Sequence, residues 1–406
     1  MPACAEGADP NSRPAGRSSK EIAVTETRSL WKGTCAALLV AALAACGGDS
    51  GGGEAGKAQA KGDTAAKGGP AAGAPAANAP AQPATAFKFG NTAAQATQCQ
   101  QQRQQKLDAA AQALQADSAA KRPGAGKNPL FAKEQKWYPQ MPAFKDGSIL
   151  PCNRVVVYYG NPASKRMGAL GEYPRAEMLS RLQRQANAWK EADPSTPVIP
   201  GLHLIAVVAQ GDPGPSGKYR TQIRDAVVDS IHKMAQSING ILFVDVQVGT
   251  DDIRSIMPRF DSVLAKPDVH FAVDPEFYMR GGTRPGAKIG TMYAADINYV
   301  MDRLTKIVQD NNLPPKLLII HRFTRGMVPD VQNVKLRPEV QLVMHMDGWG
   351  APWLKYDSYR DYIVRHPAQY TGWKNFYHND TKRGDPLTTP RDLLQLWPEP
   401  LYIQYQ

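Results

Sequence analysis

The stretch Val269–Met279, with the sequence VHFAVDPEFYM, decides the fold of this 406-residue chain. It begins as an apolar run of β-branched and aromatic residues, which is typical of a strand buried on both faces in a parallel sheet. Pro275 has no backbone N–H for a sheet and favours extended geometry at Asp274, so the strand is predicted to end there. Asp274 and Glu276 therefore stand at the C-terminal end of a parallel strand, where α/β proteins place their chemistry.

Strands and helices alternate on both sides of this stretch. From residue 153 onward, seven further strands are predicted, at 154–160, 202–210, 240–249, 316–323, 340–348, 373–378 and 400–405. Eight strands separated by helical segments are the pattern of a TIM-type (β/α)8 barrel, with the last strand closing the ring. An open doubly wound sheet is the alternative, but no Gly-x-Gly-x-x-Gly follows the first strand to mark a dinucleotide site.

Polar side chains at the ends of these strands are the candidate functional residues. Unpaired polar groups are costly to bury, so we expect them to point into one barrel opening. Along a strand, residues two apart share a face. The fifth strand offers either His321 or Arg322, and the seventh either Tyr377 or His378. The predicted catalytic set is Asp245, Asp274, Glu276 and Asp347, and the predicted substrate-binding set is Tyr159, Gln247, Arg322, His345, Trp349, Tyr377 and His378.

The motif Asp274-Pro275-Glu276 resembles the strand-four motif of chitinase-like and lysozyme-like barrel glycosidases. The resemblance implies that Glu276 is the general acid and that Asp274 orients the substrate's acetamido group or the intermediate. Paired carboxyl groups are what glycoside hydrolysis requires. The chitinase-like pattern has a longer series of aspartates on that strand. This chain departs from it, because no such series precedes Asp274. A carbohydrate or peptidoglycan glycan is the expected partner, and Trp349 is the preferred platform for a sugar ring.

Two other functions stay open at this point. One is a non-catalytic barrel that binds a glycan or an envelope protein at the same opening. The other is a metal-dependent hydrolase that uses His321, His345 and His378 with Asp245 or Asp347. The first strand has no His-x-His and the chain has no His-Glu-x-x-His, so neither a metal nor a cofactor is assigned. The net charge of +11 is scattered and accompanies no nucleic-acid motif, so nucleic acid is not an expected partner.

The N-terminal segment Leu43-Ala44-Ala45-Cys46 resembles a bacterial lipobox, and the apolar run 35–43 precedes it after Arg28 and Lys32. The resemblance implies that a signal peptide is removed and that Cys46 carries lipid, which anchors the protein to a membrane without spanning it. Gly47 instead of Asp after the cysteine resembles lipoproteins that are sorted to the outer membrane, facing the periplasm or the cell surface, where two membranes exist.

Composition divides the chain into four parts. Residues 1–45 are a leader and signal peptide, and 46–94 are the lipidated cysteine and a Gly/Ala/Pro-rich segment that is predicted to be a disordered tether. Residues 95–152 are a helical and Pro-rich pre-barrel segment, and 153–406 are the barrel. Cys99 and Cys152 are an even pair in an oxidising compartment, either a disulfide or two thiols. A monomer is expected.

Overall fold

A computed structural model of the protein describes residues 87–119 and 141–406. The predicted leader, the lipobox with Cys46 and most of the predicted tether lie outside the described residues. Nine strands are described: β1 Arg154–Gly160, β2 Val198–Ala209, β3 Arg220–Gln222, β4 Ile241–Val246, β5 Val269–Val273, β6 Lys316–His321, β7 Val340–Met346, β8 Tyr370–Asn375 and β9 Tyr402–Tyr405.

Eight of these strands close into a parallel barrel. The order around the ring is β1, β2, β4, β5, β6, β7, β8, β9, and β9 returns to β1 with Val155 opposite Tyr402. The short β3 lies outside the ring and pairs antiparallel with the end of β2. Closure leaves no free edge among the eight parallel strands. The predicted (β/α)8 barrel is therefore confirmed, and the open doubly wound sheet is wrong.

One long helix precedes the barrel, and further helices follow most of its strands on the outside. They are α1 Ala93–Ala119, α2 Ala169–Glu172, α3 Arg175–Ala192, α4 Asp225–Ser237, α5 Ile253–Ile256, α6 Asp261–Leu264, α7 Ala294–Asp310, α8 Pro352–Ser358 and α9 Pro390–Leu393. Helix α3 packs inward with Met178, Leu182, Ala186 and Trp189, spaced at three and four residues as an amphipathic helix requires. Helices α5 and α6 are separated by a 3-10 turn, Met257–Phe260, that contains Pro258.

The pre-barrel segment seals the N-terminal end of the barrel. Ile149 and Leu150 belong to the same buried cluster as the first interior residues of the strands, and Phe87 and Phe89 pack against that cluster. The side-chain Oε1 of Gln341 on β7 accepts hydrogen bonds from the backbone N–H groups of Ile149 and Leu150 at 3.0 and 3.1 Å. With this end filled, the opposite end, where the strands terminate, is the place for a ligand.

Helix α1 is fixed to the barrel by a covalent bond and an ion pair. Cys99 and Cys152 form a disulfide with their Cα atoms 5.3 Å apart, and Arg103 contacts Glu399 at 2.6 Å. The structure places residues 87–94 in the folded part rather than in the tether, because Phe87 and Phe89 are packed. Within the described ranges, no helix has the length and the apolar character needed to cross a membrane.

Candidate active site

The barrel interior changes from apolar to polar toward the C-terminal ends of the strands. On β4, for example, Ile241 and Phe243 are followed on the same face by Asp245, and on β6 Leu317 and Ile319 are followed by His321. We call the side chains of this upper interior the polar layer: Tyr159, His203, Asp245, Asp274, His321, His345, Asp347, Lys374, Tyr402 and Gln404. All of them are buried.

His321 is the centre of the polar layer. Its Nδ1 lies 2.8 Å from Asp347 Oδ2, and its Nε2 lies 3.5 Å from Asp245 Oδ2. The same Asp245 oxygen lies 3.1 Å from His203 Nε2. Burial opposes a charge on His321, but the two aspartates outweigh it and raise the pKa of the imidazole. The pKa of Asp245 is lowered because His321 and His203 outweigh the effect of burial on that carboxyl.

Asp274 and Glu276 follow β5 as the sequence predicts. Asp274 comes directly after Val273, the last residue of the strand, and Glu276 lies within a 3-10 turn at Pro275–Phe277. The Asp274 side chain caps this turn, since its Oδ1 accepts a hydrogen bond from the Glu276 backbone N–H at 2.9 Å. Asp274 is buried, whereas Glu276 keeps part of its surface in solvent. Glu276 is therefore the outer carboxyl group of the pair.

Both carboxyl groups retain a proton more readily than isolated ones. Burial raises the pKa of Asp274 to about 7, with Asp347 and Asp245 raising it further and His321 opposing them. The pKa of Glu276 is raised well above its usual range by its dense surroundings and then by Asp274, despite its partial exposure. Near neutral pH, this end of the barrel thus holds carboxyl groups that are able to donate protons.

Lys374 on β8 is a member of the polar layer that the sequence did not suggest. Its Nζ lies 3.7 Å from the centroid of the Tyr159 ring, a cation–π contact. Burial lowers the pKa of Lys374, and the carboxylates, Asp347 first, oppose that shift. The strand was predicted to begin at 373 and begins at Tyr370. Alternation counted from Tyr370 through Gly372 puts Lys374 inside, which is the signal that could have found it.

His203 on β2 is the second member that sequence reasoning missed. It stands alone in an apolar strand, so only its position identifies it: it lies opposite Phe243 in the barrel register and shares its inward face. His345 is also interior, with its ring centroid 5.1 Å from that of His321 and 4.9 Å from that of Tyr402. Burial holds the pKa of His345 well below its usual range.

Three of the predicted substrate-binding residues lie away from the polar layer. The Arg322 guanidinium turns outward and donates to the Val328 carbonyl at 2.8 Å, and burial lowers its pKa to about 10. The Tyr377 hydroxyl lies 2.9 Å from that of Tyr158 on the outside of the barrel. His378 is exposed at the surface, with Nε2 2.8 Å from a carboxylate oxygen of Glu172.

The structure resolves the open choices on strands five and seven. The fifth predicted strand is β6, and it brings His321 to the carboxylates rather than Arg322. The seventh predicted strand is β8, and it brings Lys374 instead of Tyr377 or His378. The Gln247 side chain accepts a hydrogen bond from the Ala209 N–H at 3.0 Å and ties the ends of β2 and β4 together. Trp349 is partly exposed after β7.

Two trios in the polar layer bring donor atoms within 4.8 Å of one another, as a shared cation would require: His203, Asp245 and His321, and Asp274, His321 and Asp347. A cavity of about 260 Å³ lies elsewhere, between α1 and residues 394–399. None of the four predicted catalytic carboxylates lines that cavity.

Comparison with known proteins gives little beyond the fold. No protein-family model and no curated protein sequence matches the chain. Among solved structures, it is similar to a hyperthermophilic endo-β-1,4-glucanase in complex with substrate, with 10% identity, a TM-score of 0.27, and coverage of 50% of this chain and 64% of the glucanase. It is also similar to Thermotoga maritima Cel5A in complex with cellobiose, with 10% identity, a TM-score of 0.32, and coverage of 62% and 88%. Function therefore has to be inferred from the geometry of the site itself.

Proposed function

We propose that the protein is a glycoside hydrolase that acts on a polysaccharide or on the glycan of peptidoglycan. The observation that carries the proposal is the pair Asp274 and Glu276 at the C-terminal end of β5, where burial and neighbouring carboxylates raise the pKa of both carboxyl groups. Glycoside hydrolysis uses one carboxyl group that protonates the leaving oxygen and a second that stabilises or attacks the oxocarbenium-like centre.

The two carboxyl groups are suited to different roles. Glu276 is the more exposed and is the one that a glycosidic oxygen would meet, so we assign it as the general acid. Asp274 is held by the hydrogen bond from the Glu276 backbone N–H and lies deeper in the barrel. Asp245, whose pKa is lowered, gives this end of the barrel negative charge, which favours the positive charge that develops on the sugar ring.

Exposed aromatic groups near this end of the barrel support a sugar ligand. Trp353 is 59% exposed on α8, which begins after the five residues that follow β7, and Tyr293 is 44% exposed immediately before α7. Flat aromatic rings pack well against pyranose faces. Trp353 thus joins the partly exposed Trp349 as a candidate platform.

The proposal is tested with Glu276→Gln, which keeps the size of the side chain but removes its acid function. The purified proteins are assayed for reducing-end release from peptidoglycan, chitin oligomers, and α- and β-glucans. We expect turnover to fall by about 10²- to 10⁴-fold, the usual contribution of a general acid. The matched control is Glu191→Gln, an exposed glutamate at the end of α3 that has to leave turnover unchanged.

The pH profile gives a second readout of the same assignment. The acid works only while protonated, so kcat/KM has to fall as pH rises through the raised pKa of the Asp274–Glu276 pair. Unchanged turnover in Glu276→Gln would contradict the assignment of the acid. Glycan binding by the wild type without release from any substrate would instead favour a non-catalytic binding barrel.

A further inference from the structure

Beneath the Asp274–Glu276 pair, three buried side chains direct unpartnered atoms at one point. Asp245 lies opposite Ala272, two residues deeper in the barrel than Asp274. Its Oδ2 lies 3.1 Å from His203 Nε2 and 3.5 Å from His321 Nε2. Neither contact has hydrogen-bond geometry, so both ring nitrogens and both Asp245 oxygens stay unsatisfied although all three residues are fully buried. Such atoms are costly to leave without a partner.

The other nitrogen of each ring is already engaged. The Tyr402 hydroxyl hydrogen-bonds to His203 Nδ1, and Asp347 Oδ2 lies 2.8 Å from His321 Nδ1. A histidine that binds a metal is typically held in this way, with one nitrogen hydrogen-bonded to a fixed partner and the other free to coordinate. Both rings present Nε2 to the same carboxylate, which makes Nε2 the coordinating atom in both.

The separations between these atoms are compatible with coordination of one ion. Ligands at about 2.0–2.2 Å from a tetrahedral Zn²⁺ ion lie roughly 3.3 Å from one another, and the separations of 3.1 and 3.5 Å fall on either side of that value. Two imidazoles and one carboxylate are also a ligand set that suits zinc and its neighbours in the first transition series.

We propose that His203, Asp245 and His321 bind one divalent transition-metal ion of the Zn²⁺ class inside the barrel. The second trio, Asp274, His321 and Asp347, is the weaker candidate. There Asp274 Oδ1 already accepts a backbone hydrogen bond, and His321 Nδ1 is engaged with Asp347. Three protein ligands leave a fourth position for water or a substrate oxygen, so the ion would add a Lewis acid below the carboxyl pair.

The test is Zn²⁺ binding by the full-length protein, measured calorimetrically after removal of metal, with Mg²⁺ as the comparison ion. We expect one Zn²⁺ per chain, a rise in the unfolding temperature on binding, and visible absorption bands of tetrahedral Co²⁺ when cobalt replaces zinc. His203→Asn and His321→Asn have to weaken binding by at least about tenfold, since each removes a ligand. Circular dichroism establishes that each variant is folded.

Three matched variants separate this site from others. His378→Asn removes an exposed histidine beside Glu172 and has to leave Zn²⁺ binding unchanged. Asp274→Asn has to leave Zn²⁺ binding unchanged as well. If Asp274→Asn lost Zn²⁺ binding while His203→Asn kept it, the ion would lie in the second trio and the proposal would be overturned. Absence of Zn²⁺ binding by the wild type would also overturn it. Glu276→Gln has to bind Zn²⁺ normally, so the metal site and the glycosidase assignment can fail independently.

Discussion

Lys316, at the start of β6, makes the stability of the fold depend on pH. Its ammonium group is fully buried and donates hydrogen bonds to the Val269 and Lys266 carbonyls, and burial lowers its pKa to about 7, with Asp268 opposing. Between pH 7 and the ordinary lysine pKa of about 10.4, the unfolded chain binds a proton that the folded chain does not. Stability therefore rises with pH in this window, by up to about 1.4 kcal/mol per pH unit from this one group.

Lys316→Met has to remove that contribution. Urea unfolding at several pH values between 7 and 10 would give a shallower rise in the free energy of unfolding for the variant than for the wild type. Lys190→Met, at an exposed position of α3, is the control and has to keep the wild-type slope. Parallel slopes for the wild type and Lys316→Met would show that Lys316 is charged in the folded protein.

At the scale of residues, sequence patterns predicted the membership of the polar layer in part. Strand alternation and the cost of burying unpaired charge were enough to bring Asp245, Asp274 and Asp347 to one end of the barrel. The same reasoning missed His203, because a single histidine in an apolar strand carries no local sign of its partners. Its role depends on the Tyr402 hydroxyl and the Asp245 carboxylate, which come from strands far away in the chain.

At the scale of elements, strand existence was easier to predict than strand limits. The predicted 154–160 matches β1, whereas the strand predicted at 373–378 begins at Tyr370. The predicted strand also ends at 378, whereas β8 ends at Asn375. That prediction puts Tyr377 and His378 at the strand end, although they follow β8, and it misses Lys374. An apolar run predicts the middle of a strand more reliably than its first and last residues.

The disulfide of helix α1 should contribute to the stability of the protein. The helix precedes the barrel, and in the described part of the chain it is joined to it by Cys99–Cys152 and by the Arg103–Glu399 ion pair. The disulfide links residues 53 apart, so Cys99→Ser/Cys152→Ser is expected to lower stability by about 2–4 kcal/mol, mainly by freeing the unfolded chain. Thermal unfolding of both proteins with and without reductant measures this. A reductant effect on the double variant equal to that on the wild type would contradict it.

At the scale of the molecule, the two ends of the barrel differ. Phe87, Phe89, Ile149 and Leu150 fill the N-terminal end, and the polar layer occupies the other. Because one end of the closed barrel is filled, the opposite end is the place for a ligand, and the carboxyl pair and the proposed metal ligands both lie toward that end. The sequence predicted this polarity because the direction of parallel strands fixes which end receives the residues that follow them.

The proposed substrates fit a protein that is attached to the cell envelope, and we propose that Cys46 carries the attachment as a lipid-modified residue. The basis is the run Leu43-Ala44-Ala45-Cys46, which lies outside the described residues. Acylation through sulfur requires the cysteine, and one or more acyl chains supply membrane affinity in proportion to the CH₂ groups they bury. With such an anchor, the barrel would act on glycan within reach of the membrane rather than on freely diffusing oligomers.

Labelled palmitate supplied to a bacterial host that expresses the full-length chain tests this anchor. The wild type has to incorporate the label, and Cys46→Ser has to lose it, because serine cannot form the thioether. Cys4→Ser and Cys35→Ser remove the two cysteines that precede Cys46 and are expected to leave labelling unchanged. A wild-type protein without label, or equal label in Cys46→Ser, would exclude the lipid anchor. It would leave the assignment of Glu276 intact, because the carboxyl pair is formed within the barrel alone.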